Sequence, residues 1–242
     1  MNPQRVPQPS RDELRPAKPA SAHAHYDAIL FDNDGVLVDT EHLYFRANRE
    51  ALAGVGIDLD EAAYVEHLLR QGTGVWHLAE ARGLTAGDID GLRTERDRYY
   101  YELVGAADVV IPGAPDIVQA LAARYRLAIV TSSEPEPFAR THARTGLLPH
   151  FELVLMKGDY ERSKPHPDPY LRAVERLRLA PERCLVIEDS ERGLRAAKAA
   201  GLACWVIPSA LTVGGRFDTA DAVLDNLAAA AARLLGPSGP VG

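Results

Sequence analysis

Two cysteines, Cys184 and Cys204, are all that the 242 residues contain. That is too few for a disulfide framework or a four-thiolate zinc site, and each sits beside hydrophobic residues, so both read as buried, reduced thiols. Basic residues are scarce as well: 27 Lys and Arg stand against 34 Asp and Glu, a net charge of -7. Such a chain lacks the basic face that nucleic acid or an anionic membrane requires, and neither is expected as a partner. No apolar run is long enough to span a bilayer, and the N-terminus lacks the apolar centre of a signal peptide. A soluble protein of the reducing cytoplasm is expected, acting on a small molecule, as a monomer with a dimer as the alternative.

What is present has a clear order. Residues 1–24 carry five prolines among Ala, Arg and polar groups and no hydrophobic period, so they read as a disordered leader, with His23 and the adjoining His25 incidental. The Gly/Pro-rich residues 237–242 read as a flexible tail. Between them, short apolar runs recur at Ala28–Phe31, Leu127–Val130, Leu153–Leu155, Leu185–Ile187 and Ala203–Ile207. Runs that are apolar throughout, separated by stretches of helical period, indicate strands covered on both faces. The fold expected is α/β, a doubly wound parallel sheet with a Rossmann-like core.

The first two of these strands are nearly a hundred residues apart, and the interval reads as helix at Leu43–Ala53, Glu61–Arg70, Val75–Arg82 and Ile89–Val104. A crossover needs one helix, so the surplus predicts an inserted α-helical domain over 40–110, with the core formed by 25–39 and 111–236. Ile111-Pro112-Gly113 marks the return, followed by a helix over Pro115–Arg124.

In such a sheet ligands bind beyond the carboxyl ends of the strands. The residues placed there are Asp32-Asn33-Asp34, Thr131-Ser132-Ser133 and Glu188-Asp189, with Lys164 in the loop before the last pair. Each has an ordinary alternative: Asp189-Ser190 can cap a helix, Thr131 can serve a turn, and a lysine before Pro165 is commonly solvated. The doublet Asp32/Asp34 resists that treatment, because a turn needs one such residue. Four carboxylates brought together need a counter-charge, and oxygen ligands of this kind suit a hard dication such as Mg2+. With a lysine and hydroxyls nearby, the set suits a phosphoryl group, whose charge spreads over several oxygens during transfer.

Taken in order, "FDNDGVLVDT", "LAIVTSS", "SKPHPDPY" and "CLVIEDSERGLRAAKAAG" resemble the four motifs of the haloacid dehalogenase superfamily of phosphatases and phosphomutases, over roughly residues 27–210. The insertion directly after the first motif is similar to the subgroup with an α-helical cap. The resemblance implies a two-step phosphoryl transfer. Asp32 would attack phosphorus and form an aspartyl-phosphate; Asp34 would protonate the leaving alkoxide and then deprotonate the resolving water. Mg2+ would be held by Asp32, the Asp34 backbone carbonyl and Asp189, with Glu188 ligating directly or through water. Thr131, the Ser132 backbone N–H and Lys164 would bind phosphoryl oxygens, and Asp39-Thr40 would turn the chain into the cap.

Substrate choice is expected to lie in the cap, with Tyr44, Arg46, Arg70 and Thr73 of the "RQGTGVW" loop as candidate contacts. His67 and His77 read as packed or solvated, and Trp76 as core. Tyr44 and Val75 fall where β-phosphoglucomutases carry a histidine and a phosphate-gripping arginine, which favours a phosphatase acting on a sugar phosphate or a phosphoglycolate-like ester over a mutase. Response-regulator receivers also combine a phosphorylatable Asp, paired acids, a strand-ending Thr/Ser and a Lys on a similar sheet, but their phosphoacceptor ends a middle strand, with no DxD on the first, and they lack the helical insertion. A non-catalytic binding module remains the reading of a third class.

Overall fold

The computed structural model describes residues 26–236; the leader expected over 1–24, His23 within it, the adjoining His25, and the tail at 237–242 lie outside the described residues. Six strands form one sheet: β1 (Ala28–Phe31), β2 (Arg126–Val130), β3 (Leu153–Leu155), β4 (Cys184–Glu188), β5 (Ala203–Val206) and β6 (Ala222–Val223). Their order is β3-β2-β1-β4-β5-β6, and every pairing is parallel. The chain winds outward from β1 to β3 and then returns to the other side of β1, so the order reverses at β1. That reversal opens the crevice in which a doubly wound sheet binds its ligand.

Both faces of the sheet are covered, which is why its central strands are apolar at every position. Ile29 and Phe31 pack with Val118 and Leu121 of α5 (Ala114–Ala122), Phe138 of α6 (Pro135–His142) and Ala230 of α9 (Leu227–Leu235). On the opposite face Ala28 and Leu30 meet Tyr170 and Ala173 of α7 (Asp168–Leu177) and Leu194 and Ala197 of α8 (Glu191–Ala199). A fully buried side chain such as Leu30 or Phe31 contributes roughly 1.5–3 kcal/mol by leaving water. Cys184 and Cys204 are buried and unpaired, as expected.

Between β1 and α5 the chain forms α1 (Glu41–Ala53), α2 (Glu61–Tyr64), a π-helical stretch Val65–Arg70, α3 (His77–Ala81) and α4 (Ala86–Ala106). These helices keep their own apolar clusters, one around Leu52, Leu59, Tyr64 and Val75 and another around Leu43, Tyr100 and Val104. They join the sheet through two short segments running side by side: Asp39 N–H donates to Val109 O at 2.8 Å and Ile111 N–H to Leu37 O at 3.1 Å, flanking an antiparallel bridge between Val38 and Val110.

Two features differ from the sequence expectation. The helix read over Glu61–Arg70 is one α turn, capped by Asp60 on Ala63 N–H, followed by the wider π stretch. Its last carbonyls face the core, where Arg192 Nη1 reaches Leu68 O at 3.4 Å and Arg195 Nη2 reaches Arg70 O at 2.9 Å. The two-residue β6 is too short to leave an apolar run. It is defined by its pairing with β5 alone.

Candidate active site

The first motif places its carboxylates by backbone geometry. Asp32 N–H donates to Ile187 O at 2.9 Å, extending the β1–β4 ladder by one residue, and Asn33 O then accepts from the N–H groups of Val36, Leu37 and Val38 at 2.9–3.3 Å. This tight turn presents Asp32 and Asp34 to one cavity. Gly35 is required in two ways: its φ is +80°, and a Cβ there would lie 2.4 Å from Asp189 Oδ2.

Lys164 is 5% exposed, and its ammonium joins three elements. Nζ lies 2.6 Å from Asp32 Oδ1, 2.7 Å from Glu188 Oε1 and 2.8 Å from Val130 O. Burial alone would lower its pKa, but Asp32 and Glu188 outweigh that and raise it, so the lysine stays charged. Asp32 is pushed up to about 7, by burial first and then by Glu188, with Lys164 opposing. Asp189 is raised well above the usual carboxylate range by burial, Asp32 and Glu188, while a hydrogen bond from Ser209 pulls it down. The carboxylates are crowded for want of positive charge, which is the condition a cation relieves.

Asp32, Glu188 and Asp189 each offer an oxygen within 4.8 Å of the others. This hard, anionic donor set fits Mg2+. Glu188 is the most engaged of the three: Oε1 accepts from Lys164 and, at 2.5 Å, from Tyr170 OH, and Oε2 accepts from Asp189 N–H and Ser190 Oγ, each at 3.2 Å. It is fully buried beneath the site, and a Cβ on Gly193 would come within 2.0 Å of its carboxylate. Asp32 and Asp189 instead line the cavity. Asp189 Oδ2 is oriented by Ser209 Oγ at 2.9 Å and Thr212 Oγ1 at 3.4 Å.

Thr131 and Ser132 close β2 at the same cavity. Thr131 Oγ1 accepts from Ser133 N–H at 3.0 Å, and its carbonyl accepts from Tyr160 OH at 2.6 Å. Asp34 faces them, with Oδ1 taken by the Thr40 hydroxyl and Oδ2 3.3 Å from Asn33 Nδ2.

The cavity, about 640 Å³, is roofed by the inserted helices. Of the four cap candidates only Tyr44 lines it, its hydroxyl accepting from Arg96 Nη1 at 2.6 Å. Arg46 is exposed and stacks over Tyr99 at 5.6 Å. Arg70 lies outside the lining, donating to Gly214 O at 3.1 Å and pairing with Glu66 and Glu191 at 3.4 and 3.5 Å. Thr73 is exposed, with its hydroxyl on His67 O at 3.1 Å, although Gly72 and Gly74 beside it reach the cavity. His67 and His77 pack edge to face at 4.5 Å, and half-buried Trp76 lies under Arg93 and Arg96.

Several residues of the wall are not among those singled out from the sequence, Glu41, Arg96 and Arg192 among them. Glu41 accepts from Tyr64 OH, and burial, with Asp34 adding to it, pushes its pKa up to about 7. Arg96 is held by Asp97 at 2.7 Å, Tyr44 at 2.6 Å and Asn48 at 3.2 Å. Glu41 and Arg192 were accessible to sequence reasoning, since Glu41 directly follows the first motif and Arg192 lies inside the fourth. Arg96 was not, being one of several charges along α4.

The chain as a whole is similar to known proteins. A family model described as a hydrolase, haloacid dehalogenase-like, matches residues 26–201. The chain is 37% identical over 218 residues to protein CbbY of Cereibacter sphaeroides, covering 84% of this chain and 93% of that one. It is 34% identical over 185 residues to the phosphorylated carbohydrates phosphatase of Thermotoga maritima, covering 73% and 82%. The crystal structure of a CbbY mutant from Rhodobacter sphaeroides in complex with xylulose-(1,5)bisphosphate superimposes with a TM-score of 0.68 at 29% identity, over 84% of this chain and 95% of that one.

Proposed function

The chain belongs to the haloacid dehalogenase-like hydrolase family and is a phosphatase, and from that premise we propose that it hydrolyses a small organic phosphate monoester, with Mg2+, through an aspartyl-phosphate on Asp32. The substrate is a sugar phosphate or a phosphoglycolate-like ester. The observation that carries this reading is Lys164 bridging Asp32 and Glu188 at 2.6 and 2.7 Å while Asp34 and Asp189 face the same cavity.

Asp32 presents its second oxygen to phosphorus, since Lys164 already holds Oδ1. The Asp32 O–P bond forms as the P–O bond to the alcohol breaks, and the proton on Asp34 passes to the departing alkoxide. Asp34, now a carboxylate, takes a proton from water as that water attacks phosphorus. The O–P bond of the Asp32 acyl phosphate breaks, the Asp32 carboxylate is regenerated and inorganic phosphate leaves. Lys164, Thr131 and the Ser132 backbone N–H hold the phosphoryl oxygens throughout. Asp32, Asp189 and the Asp34 carbonyl are the residues to hold Mg2+, with Glu188 joining directly or through water. Bound there, the ion offsets the charge of the carboxylates and of the phosphoryl group.

The inserted helices over 40–110 act as a cap on a core of 25–39 and 111–236, and their wall selects the substrate. A phosphatase is favoured over a mutase because Val75 is fully buried and the Tyr44 hydroxyl is engaged by Arg96; neither is free to grip a second phosphate. A cytoplasmic, monomeric protein completes the proposal; among the described residues no helix is long and apolar enough to cross a membrane.

The test is phosphate release from a panel of sugar phosphates, phosphoglycolate and nucleotides, with and without Mg2+, for the wild type and Asp32→Asn. Mg2+-dependent release that the variant loses supports the proposal. Release that survives in Asp32→Asn removes Asp32 as nucleophile, and conversion of β-glucose 1-phosphate to glucose 6-phosphate without release would make the protein a mutase.

A further inference from the structure

Asn33 separates the two aspartates of the first motif, and its side chain is 1% exposed. It does not end in packing. Asn33 Oδ1 lies 2.8 Å from Nε2 of His142, the last residue of α6, whose Nδ1 lies 3.0 Å from Thr145 Oγ1. On the other side Asn33 Nδ2 lies 3.3 Å from Asp34 Oδ2. A continuous line of side-chain contacts therefore runs from a helix of the core to Asp34.

The direction of each bond follows from the groups available. His142 is 5% exposed and stacks on Phe138 at 4.4 Å; burial lowers its pKa to about 4, so the ring is neutral and carries one N–H. Thr145 Oγ1 accepts from Leu147 N–H at 3.3 Å, and its own hydrogen has two acceptors within reach, His142 O at 3.5 Å and the nearer Nδ1 at 3.0 Å, which it takes as the shorter bond. The ring N–H is then on Nε2 and donates to Asn33 Oδ1. This fixes the amide with its NH2 toward Asp34, whose other oxygen is held by Thr40. Apolar residues of similar shape at 33 and 142 would fill the same space without burying four polar groups.

We propose that His142, acting through Asn33, is a positioning residue for Asp34, holding the Asp34 carboxyl at the angle from which it meets the leaving-group oxygen. This rests on the reading of Asp34 as the general acid. Its signature is dependence on the leaving group: an alkoxide needs the proton, whereas 4-nitrophenolate departs without one.

The experiment compares kcat/KM, which reports steps through the first phosphoryl transfer, for a sugar phosphate that the wild type hydrolyses and for 4-nitrophenyl phosphate. The variants are His142→Leu, His142→Gln, Asn33→Leu and the double variant Asn33→Leu/His142→Leu, with Asp34→Asn as reference. The leucine variants are expected to lose about 10- to 100-fold on the sugar phosphate and less than about threefold on 4-nitrophenyl phosphate. The double variant should lose no more than either single one, since one line of contacts is cut once, and His142→Gln, which retains an N–H donor, should recover most of the activity. The double variant removes both members of the buried Asn33–His142 bond together, so it carries the test if His142→Leu fails to fold. Equal losses on both substrates, or no loss in a folded double variant, would overturn the proposal. If Asp34→Asn itself leaves the ratio of the two substrates unchanged, the acid role of Asp34 fails instead, and the two failures are told apart.

Discussion

The floor and the roof of the cavity are built on different principles. On the floor, Asp32, Lys164, Glu188 and Asp189 sit at the ends of strands or against them, and each is fixed by at least one charged or backbone partner. Glycines at 35 and 193 let the acids approach closer than any side chain would allow. On the roof, Tyr44, Arg96 and Glu41 come from helices, and their partners are one another or neighbouring cap residues. On the proposed function, the charges that would act on phosphorus are tied to the sheet, and the groups that would meet the rest of the substrate are tied to an element joined to it by two segments. Under that proposal the reaction belongs to the floor and the choice of substrate to the roof.

This difference can be strained from each side. The largest effect is expected on the floor, from Lys164→Met. The change strands Asp32 and Glu188 as buried carboxylates without their cation, which costs about 3–5 kcal/mol in folding stability. Urea unfolding should show that loss, and phosphate release should fall for every substrate alike, since Lys164 touches only the part all substrates share. A roof variant, Arg96→Met, is expected to do less and to do it selectively. It removes donors to Tyr44 and Asn48, raising KM for the preferred sugar phosphate by about tenfold, the size of one lost polar contact, while 4-nitrophenyl phosphate changes by less than about twofold. Steady-state kinetics on both substrates read the contrast. A uniform loss in Arg96→Met would erase the distinction between floor and roof.

Legibility in the sequence follows the same division. The apolar runs of β1, β2, β3, β4 and β5 are found where expected because strands covered on both faces leave an unbroken signal. The sheet then carries Asp32, Thr131, Lys164, Glu188 and Asp189 to one edge by topology alone. The roof was harder to read because a helix betrays its inner face only through contrast in polarity. In α4 the buried member of the polar run is an arginine, Arg96, packed against Tyr44 and Trp76, so charge there did not mean exposure. Arg70, read as a candidate contact, stands at the end of the π stretch and is taken up by Glu66, Glu191 and Gly214 instead of lining the cavity. His142 stood outside every motif, and only the tertiary fold brings it to Asn33 across 109 residues of chain.

The most direct test is to trap the covalent intermediate. Asp34→Asn given 4-nitrophenyl phosphate and Mg2+ can still be phosphorylated, because the leaving group needs no acid, but it lacks the base that activates water. After acid quench, mass spectrometry should find one phosphoryl group on the peptide containing Asp32, together with a burst of nitrophenolate. Nitrophenolate released without any phosphorylated peptide, or a phosphoryl group on a residue other than Asp32, would contradict the account.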